Sequence, residues 1–115
     1  MFLAAGELMA RGSNTLVFEG AEFGAGLSFF DVDLPPSAGA ALHYHPYPET
    51  WIIHEGSVEF TLAGEIKCLS ERAVVVVPAG TIHGFRNVGS GRLRMSCLHA
   101  SEQFITTWAD HGQRE

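Results

Sequence analysis

His43-Tyr44-His45-Pro46-Tyr47-Pro48-Glu49 and Pro78-Ala79-Gly80-Thr81-Ile82-His83-Gly84-Phe85-Arg86-Asn87 are the two stretches that decide how this chain of 115 residues reads. On an extended backbone successive side chains alternate faces, so His43 and His45, two apart, point the same way. Glu49 follows four residues after His45. Pro46 and Pro48 kink the path between them, so that the carboxylate can join that face. His83 brings a third imidazole from a separate segment. Three histidines and a carboxylate converging from two stretches outline a first-row transition-metal site, and two histidines with a carboxylate are also the inventory of non-haem iron oxygenases.

Around these stretches the chain reads as strand after strand. Residues 15–18, 27–33, 49–55, 57–62, 73–77 and 92–98 are short, β-branched or aromatic, and alternate where one face is wet. Pro35-Pro36, Gly56, Ala63-Gly64-Glu65, residues 78–80 and Gly89-Ser90-Gly91 separate them as turns. Many short strands at this spacing predict an all-β sandwich or barrel. A double-sheet jelly roll handles the exposed edges in a chain of this length. Residues 101–109 predict a short helix with Phe104, Ile105 and Trp108 on one face, or else an extended tail, that covers a barrel end or packs on a partner subunit.

His43, His45, Glu49 and Gly56 fill the string H-x-H-x3-E-x6-G, and Pro78, Gly80, His83 and Asn87 fill P-x-G-x2-H-x3-N. In this order and at this separation they resemble the two signature motifs of the cupin superfamily, the first at residues 43–56 and the second at residues 78–87. The resemblance implies a cupin-type double-stranded β-helix, or jelly-roll barrel, with residues 1–115 as a single domain. It also implies one divalent transition metal held by His43, His45, Glu49 and His83. The chain departs from the family's pattern at turns. Gly39 stands closer to the first histidine than the family's glycine does, and Arg72 and Ala73 stand where the second motif usually begins with glycine, often followed by aspartate. Neither departure touches a donor position.

Gly56 and Gly80 read as turn residues that need positive φ or close backbone approach, Pro78 as a stiffener before His83, and Asn87 as a loop tie. His54, five residues after Glu49, falls on the opposite face of a regular strand and reads as exterior. His99, at the end of the last strand, reads as a surface or loop histidine with the barrel mouth as its alternative, His111 as a solvent-exposed one, and Arg11 and Arg86 as solvated cations with an anionic substrate as their alternative partner. Tyr44 has the wrong parity to face the metal. Tyr47, Trp51, Ile53, Phe60 and Phe85 are the candidate walls of a substrate pocket.

The donor types admit Fe, Mn, Ni, Cu, Co or Zn, and open positions remain in an octahedral shell. The absence of a thiolate among them argues against structural zinc. The expected function is a metal-dependent enzyme of the oxygenase or dioxygenase kind, acting on an enolisable or other small organic substrate with Glu49 as general base. The same residues would serve an isomerase, cyclase or lyase without redox change, or a non-catalytic ligand-binding cupin.

Composition bounds the partners. The chain is 46% hydrophobic and 17% charged, a globular balance. Its 7 basic and 13 acidic residues give a net charge of -6, and so few cations argue against nucleic acid or an anionic membrane as partner. No apolar run reaches the ~20 residues of a membrane span. The first residues lack a basic region and reach Glu7 early, so no signal peptide is expected. With Cys68 and Cys97 the only cysteines, reduced thiols in a cytoplasmic protein are expected. A homodimer with two-fold symmetry is the expected assembly.

Overall fold

Alternating burial along the chain resolves into two layers. In the computed structural model, which describes residues 1–109, ten strands form two five-stranded antiparallel sheets. The strands are β1 (Leu16–Phe18), β2 (Ser28–Leu34), β3 (Gly39–Tyr44), β4 (Glu49–Glu55), β5 (Val58–Leu62), β6 (Glu65–Leu69), β7 (Val74–Val77), β8 (His83–Asn87), β9 (Leu93–His99) and β10 (Thr107–Trp108). The first sheet runs β1-β2-β9-β4-β7 and the second β10-β3-β8-β5-β6. This is the double-stranded β-helix expected from the sequence. A short helix at Ala5–Leu8 and a 3-10 turn at Gly20–Phe23 lie beside it. No helix among the described residues is long and apolar enough to cross a membrane.

The core lies between the sheets. Trp51 and Ile53 of β4, Leu93, Met95 and Cys97 of β9, Val58 and Phe60 of β5, and Phe85 of β8 pack together there with Val32, Val75 and Val77. Burying each large side chain contributes about 1.5–3 kcal/mol. The period of two makes the register strict, because a slip by one residue would turn Leu93, Met95 and Cys97 out to water together.

Between β3 in the second sheet and β4 in the first, residues 45–48 carry the chain from one layer to the other. Proline cannot donate to a ladder, and here Pro46 and Pro48 sit where the chain leaves both ladders. Gly80 N–H donates to the His45 carbonyl at 2.7 Å, tying the loop before His83 to this crossing. Asn87 is a loop tie as read: its amide donates to the Leu34 and Gly91 carbonyls and its Oδ1 accepts Gly89 N–H. Gly39 serves contact and not a turn, since a Cβ there would lie 2.0 Å from the Phe85 carbonyl oxygen.

Arg72, at the place where the motif usually has glycine, has φ 73°. The turn has kept the left-handed conformation although the residue that adopts it freely is gone. A side chain costs about 1–2 kcal/mol in that region. The Arg72 side chain is exposed, and its backbone N–H bonds the Ile53 carbonyl at 2.8 Å whatever the side chain. Arg72→Gly is therefore expected to raise stability by about 1 kcal/mol in urea unfolding, after the entropy glycine adds to the unfolded chain. A lower midpoint would show that the arginine side chain supports the turn.

Residues 101–103 bend, and from 104 to 109 the chain runs on without a helix, pairing as a strand at Thr107–Trp108. Thr107 pairs with Tyr44 and Trp108 with His43, and Ala109 N–H donates to the Leu42 carbonyl. Ile105, Thr106 and Thr107 are β-branched in succession and favour this conformation. Their backbone groups find partners on β3 and at Tyr47 and His45, so a helix has nothing further to satisfy. Phe104 stacks on Phe30 with ring centroids 4.4 Å apart, which closes the end of the barrel.

Candidate metal centre

Cross-strand register assembles the site. In the second sheet His43 of β3 pairs with His83 of β8, and in the first Glu49 of β4 pairs with His99 of β9. His45, just past β3, keeps the parity of His43. The sheets face each other, so the pairs meet. One donor atom from each of His43, His45, Glu49 and His83 lies within 4.8 Å of all the others, and all four residues are buried. His45 Nε2 and His83 Nε2 stand 3.1 and 3.0 Å from the same oxygen, Glu49 Oε1.

Backbone carbonyls set how the rings face. His43 Nδ1 lies 2.6 Å from the Ala41 carbonyl oxygen, His45 Nδ1 2.9 Å from that of Ile105, and His83 Nδ1 2.9 Å from that of Thr81. A carbonyl can only accept, so each Nδ1 carries a proton and Nε2 is the ring atom left to face inward, as a lone pair wherever the ring is neutral. His45 Nε2 is buried and makes no hydrogen bond among the described residues, near as Oε1 is. Lone pairs set against a carboxylate oxygen repel unless a proton or a cation lies between them. A metal ion satisfies all of them together, and outer hydrogen bonds that orient ligating histidines are the usual accompaniment of such an ion. The residues present therefore fit a divalent transition metal.

The electrostatics agree. Burial pushes the Glu49 carboxyl up, but its contacts with His45, His83 and His99 outweigh burial and hold it well below the usual carboxylate range. Burial lowers His43 to about 4 against the pull of the Ala41 carbonyl, so its ring is a free base at neutral pH. His45 is also lowered by burial, yet the Glu49 carboxylate and the Ile105 carbonyl raise it overall. Positive charge is favoured at the point the Nε2 atoms face.

His99 is a correction to the sequence reading. It is buried, not at the surface, and its Nε2 lies 3.0 Å from Glu49 Oε2. Ionised Glu49 only accepts, so the proton is on His99 Nε2, and His99 Nδ1 accepts from the Tyr47 hydroxyl at 2.6 Å. The Tyr47 oxygen in turn accepts Ile105 N–H at 3.2 Å. His99 is thus the opposite tautomer to the other three rings. It occupies Oε2 and leaves Oε1 to them. The expected strand stopped at residue 98, although the inward alternation of Leu93, Met95 and Cys97 continues to His99.

A cavity of about 250 Å³ opens beside the centre, lined by His43, His45, Glu49 and His99 together with Thr15, Phe30, Val32, Leu34, Ala40, Trp51, Phe85, Cys97, Thr106 and Trp108. Of the expected walls, Trp51 and Phe85 are in it. Ile53 and Phe60 are not; they pack in the core. Parity puts Ile53 on the inward face, but four residues along β4 from Glu49 carry it about 13 Å deeper. Tyr47 does not line the cavity either, its hydroxyl being engaged by His99. The tail residues Thr106 and Trp108 were missed because that segment reads as helix.

The remaining residues lie apart from the centre. His54 is exposed, with Nε2 2.7 Å from Ser96 Oγ, and Arg86 lies 3.5 Å from Glu59 on the exterior. Arg11 is exposed, and His111 lies outside the described residues. Both cysteines are free; Cys68 is exposed, while burial pushes the Cys97 thiol up and keeps it protonated.

Residues 30–100 match the family model described as Cupin domain. Over 99 residues the chain is 31% identical to mannose-1-phosphate guanylyltransferase of Salmonella montevideo, an overlap of 81% of this chain and 21% of that protein. Over 61 residues it is 38% identical to polyketide synthase CurC of Streptomyces cyaneus, an overlap of 52% of this chain and 40% of that protein. The chain thus spans less than half the length of either curated relative. Among solved structures, oxalate oxidase matches with a TM-score of 0.77 at 20% identity, over 94% of this chain and 63% of that one, which is a likeness of fold.

Proposed function

The chain belongs to the cupin domain family, and from that premise we propose that it is a metal-dependent enzyme of the oxygenase kind acting on a small organic molecule. The observation that carries the reading is the set of three Nε2 atoms, fixed by carbonyls behind the rings, converging with Glu49 Oε1. His43, His45, Glu49 and His83 would hold the ion. A cation bound there supplies Lewis acidity and, where it is redox-active, electron exchange with dioxygen.

The chain's own residues do the rest. The Ala41, Ile105 and Thr81 carbonyls keep the imidazoles oriented. His99 Nε2–H holds Glu49 Oε2, which makes Oε1 the oxygen that can accept a substrate proton. Phe30, Val32 and Phe85 keep the adjoining cavity apolar. Oxalate belongs to the name of a structural neighbour, and at 20% identity it does not carry over.

One observation favours a redox-neutral isomerase, cyclase or lyase as the second reading. Glu49, His99 and Tyr47 form a hydrogen-bonded chain that could take up a proton with no redox partner. The test is elemental analysis of protein purified without chelators or nickel resin, followed by oxygen uptake with diketones, flavonols and thiols. Oxygen consumption that needs a redox-active metal and fails with zinc is the expected result. Turnover that continues with zinc and without oxygen would move the assignment to the second reading, and metal-replete protein without turnover would leave a binding module.

A further inference from the structure

The cavity beside the centre is uneven in what it offers a ligand. Phe30, Val32, Leu34 and Phe85 give it apolar walls, and no lysine or arginine is among the described residues that line it. Glu49 is the one acidic side chain among the lining residues. A dicarboxylate would bring two further negative charges into an apolar, water-poor space with no lysine or arginine to meet them, whereas a carbonyl or enol brings none.

A second feature points the same way. Trp51 lines the cavity, is 3% exposed, and its indole Nε1 has no acceptor among the described residues. An unpaired buried donor is costly, and phenylalanine at that position would avoid the cost. A ligand oxygen would remove it. The volume of about 250 Å³ lies just below the ~300–1,000 Å³ of ordinary ligand sites, so the occupant has one or two rings.

We infer that the cavity takes a molecule that enters uncharged, lays one or two rings against Phe30 and Phe85, and presents a carbonyl or enol oxygen to Trp51 Nε1–H, and that it discriminates against small dicarboxylates. This deepens the proposed function and rests on it for the position of the reacting atom; binding itself rests on the cavity.

The test uses the full chain, metal-free and Mn²⁺-loaded. It is titrated with 1-indanone, with indane, which has the same rings and no oxygen, and with oxalate. Binding is read by calorimetry and by the fluorescence of Trp51 and Trp108, the chain's two tryptophans. 1-Indanone is expected to bind both forms, and the loaded form at least about tenfold more tightly than oxalate does. Trp51→Phe should weaken 1-indanone by about three- to tenfold and leave indane unchanged. Ala40→Phe, which fills the cavity, should abolish 1-indanone binding while Mn²⁺ uptake, read by electron paramagnetic resonance, persists and shows that the variant is folded. Oxalate binding as tight as 1-indanone, no 1-indanone binding to either form, or equal 1-indanone affinity in Trp51→Phe overturns the inference. A chain that binds 1-indanone but takes up no Mn²⁺ supports the inference and counts against the metal reading alone.

Discussion

His45→Ala is expected to abolish measurable binding of a divalent metal, His99→Phe to weaken it by about 10–100-fold, and His54→Ala to leave it unchanged. The three histidines differ in what their nitrogens face. His45 turns an unpartnered Nε2 to the centre and is anchored from behind by the Ile105 carbonyl, so its loss removes a donor outright. His99 touches only Oε2 of the carboxylate, so its loss frees Glu49 to rotate without removing a ligand. His54 contacts Ser96 on the exterior. Calorimetric titration of chelator-stripped protein with Mn²⁺ would read the gradation. Equal losses in His45→Ala and His54→Ala would place the ion elsewhere than between the sheets.

Glu49→Gln should do two opposed things, removing the metal affinity and making the metal-free protein more stable by about 1–3 kcal/mol at alkaline pH. In the metal-free chain Oε1 sets a negative oxygen against the inward nitrogens of His45 and His83. A glutamine amide can donate to those nitrogens while its oxygen still accepts His99 Nε2–H, and the buried charge is gone. The pH dependence has a definite sign. His45 is raised by its Glu49 contact, so the stability it lends the natural chain is complete below about pH 6.5 and is lost as pH rises through its raised value. The advantage of Glu49→Gln therefore widens upward in pH. Urea unfolding of the chelated proteins at about pH 6 and about pH 8.5 measures it. A variant less stable than its parent at the higher pH would mean that the inward nitrogens carry protons, and the tautomer assignment would fail.

How much could be read before any coordinates depends on how each strand is buried. Six strands, β1, β2, β4, β5, β7 and β9, fall within one residue of their expected ends: in β2, β4, β5 and β9 one face meets the core, while β1 and β7 are short, wholly apolar runs. β6 gives no such signal: four of its five residues are exposed, so nothing in its side chains repeats. β10 is too short to show a period, and the spacing of Phe104, Ile105 and Trp108 suited a helix as well as an extended tail. The donor residues were legible from parity and motif spacing, and the structure brings all four together. Depth was not legible. Parity states which face a side chain takes, whereas Ile53 and Phe60 were displaced along the barrel axis, a coordinate that depends on strands paired from elsewhere in the chain. Arg72 is the reverse case, where the backbone kept a shape its residue no longer advertises.

His43 and His83 belong to one layer of the barrel and Glu49 to the other, with the histidine after β3 on the path between them. An ion gripped by all four acts as a rivet through both plates. Because only the folded chain can assemble the grip, free ion at a thousand times its dissociation constant would add about 4 kcal/mol to the folding free energy, a sizeable share of what an ordinary domain possesses. Under metal starvation such a protein would therefore lose endurance together with its chemistry, and its abundance would rise and fall with ion supply.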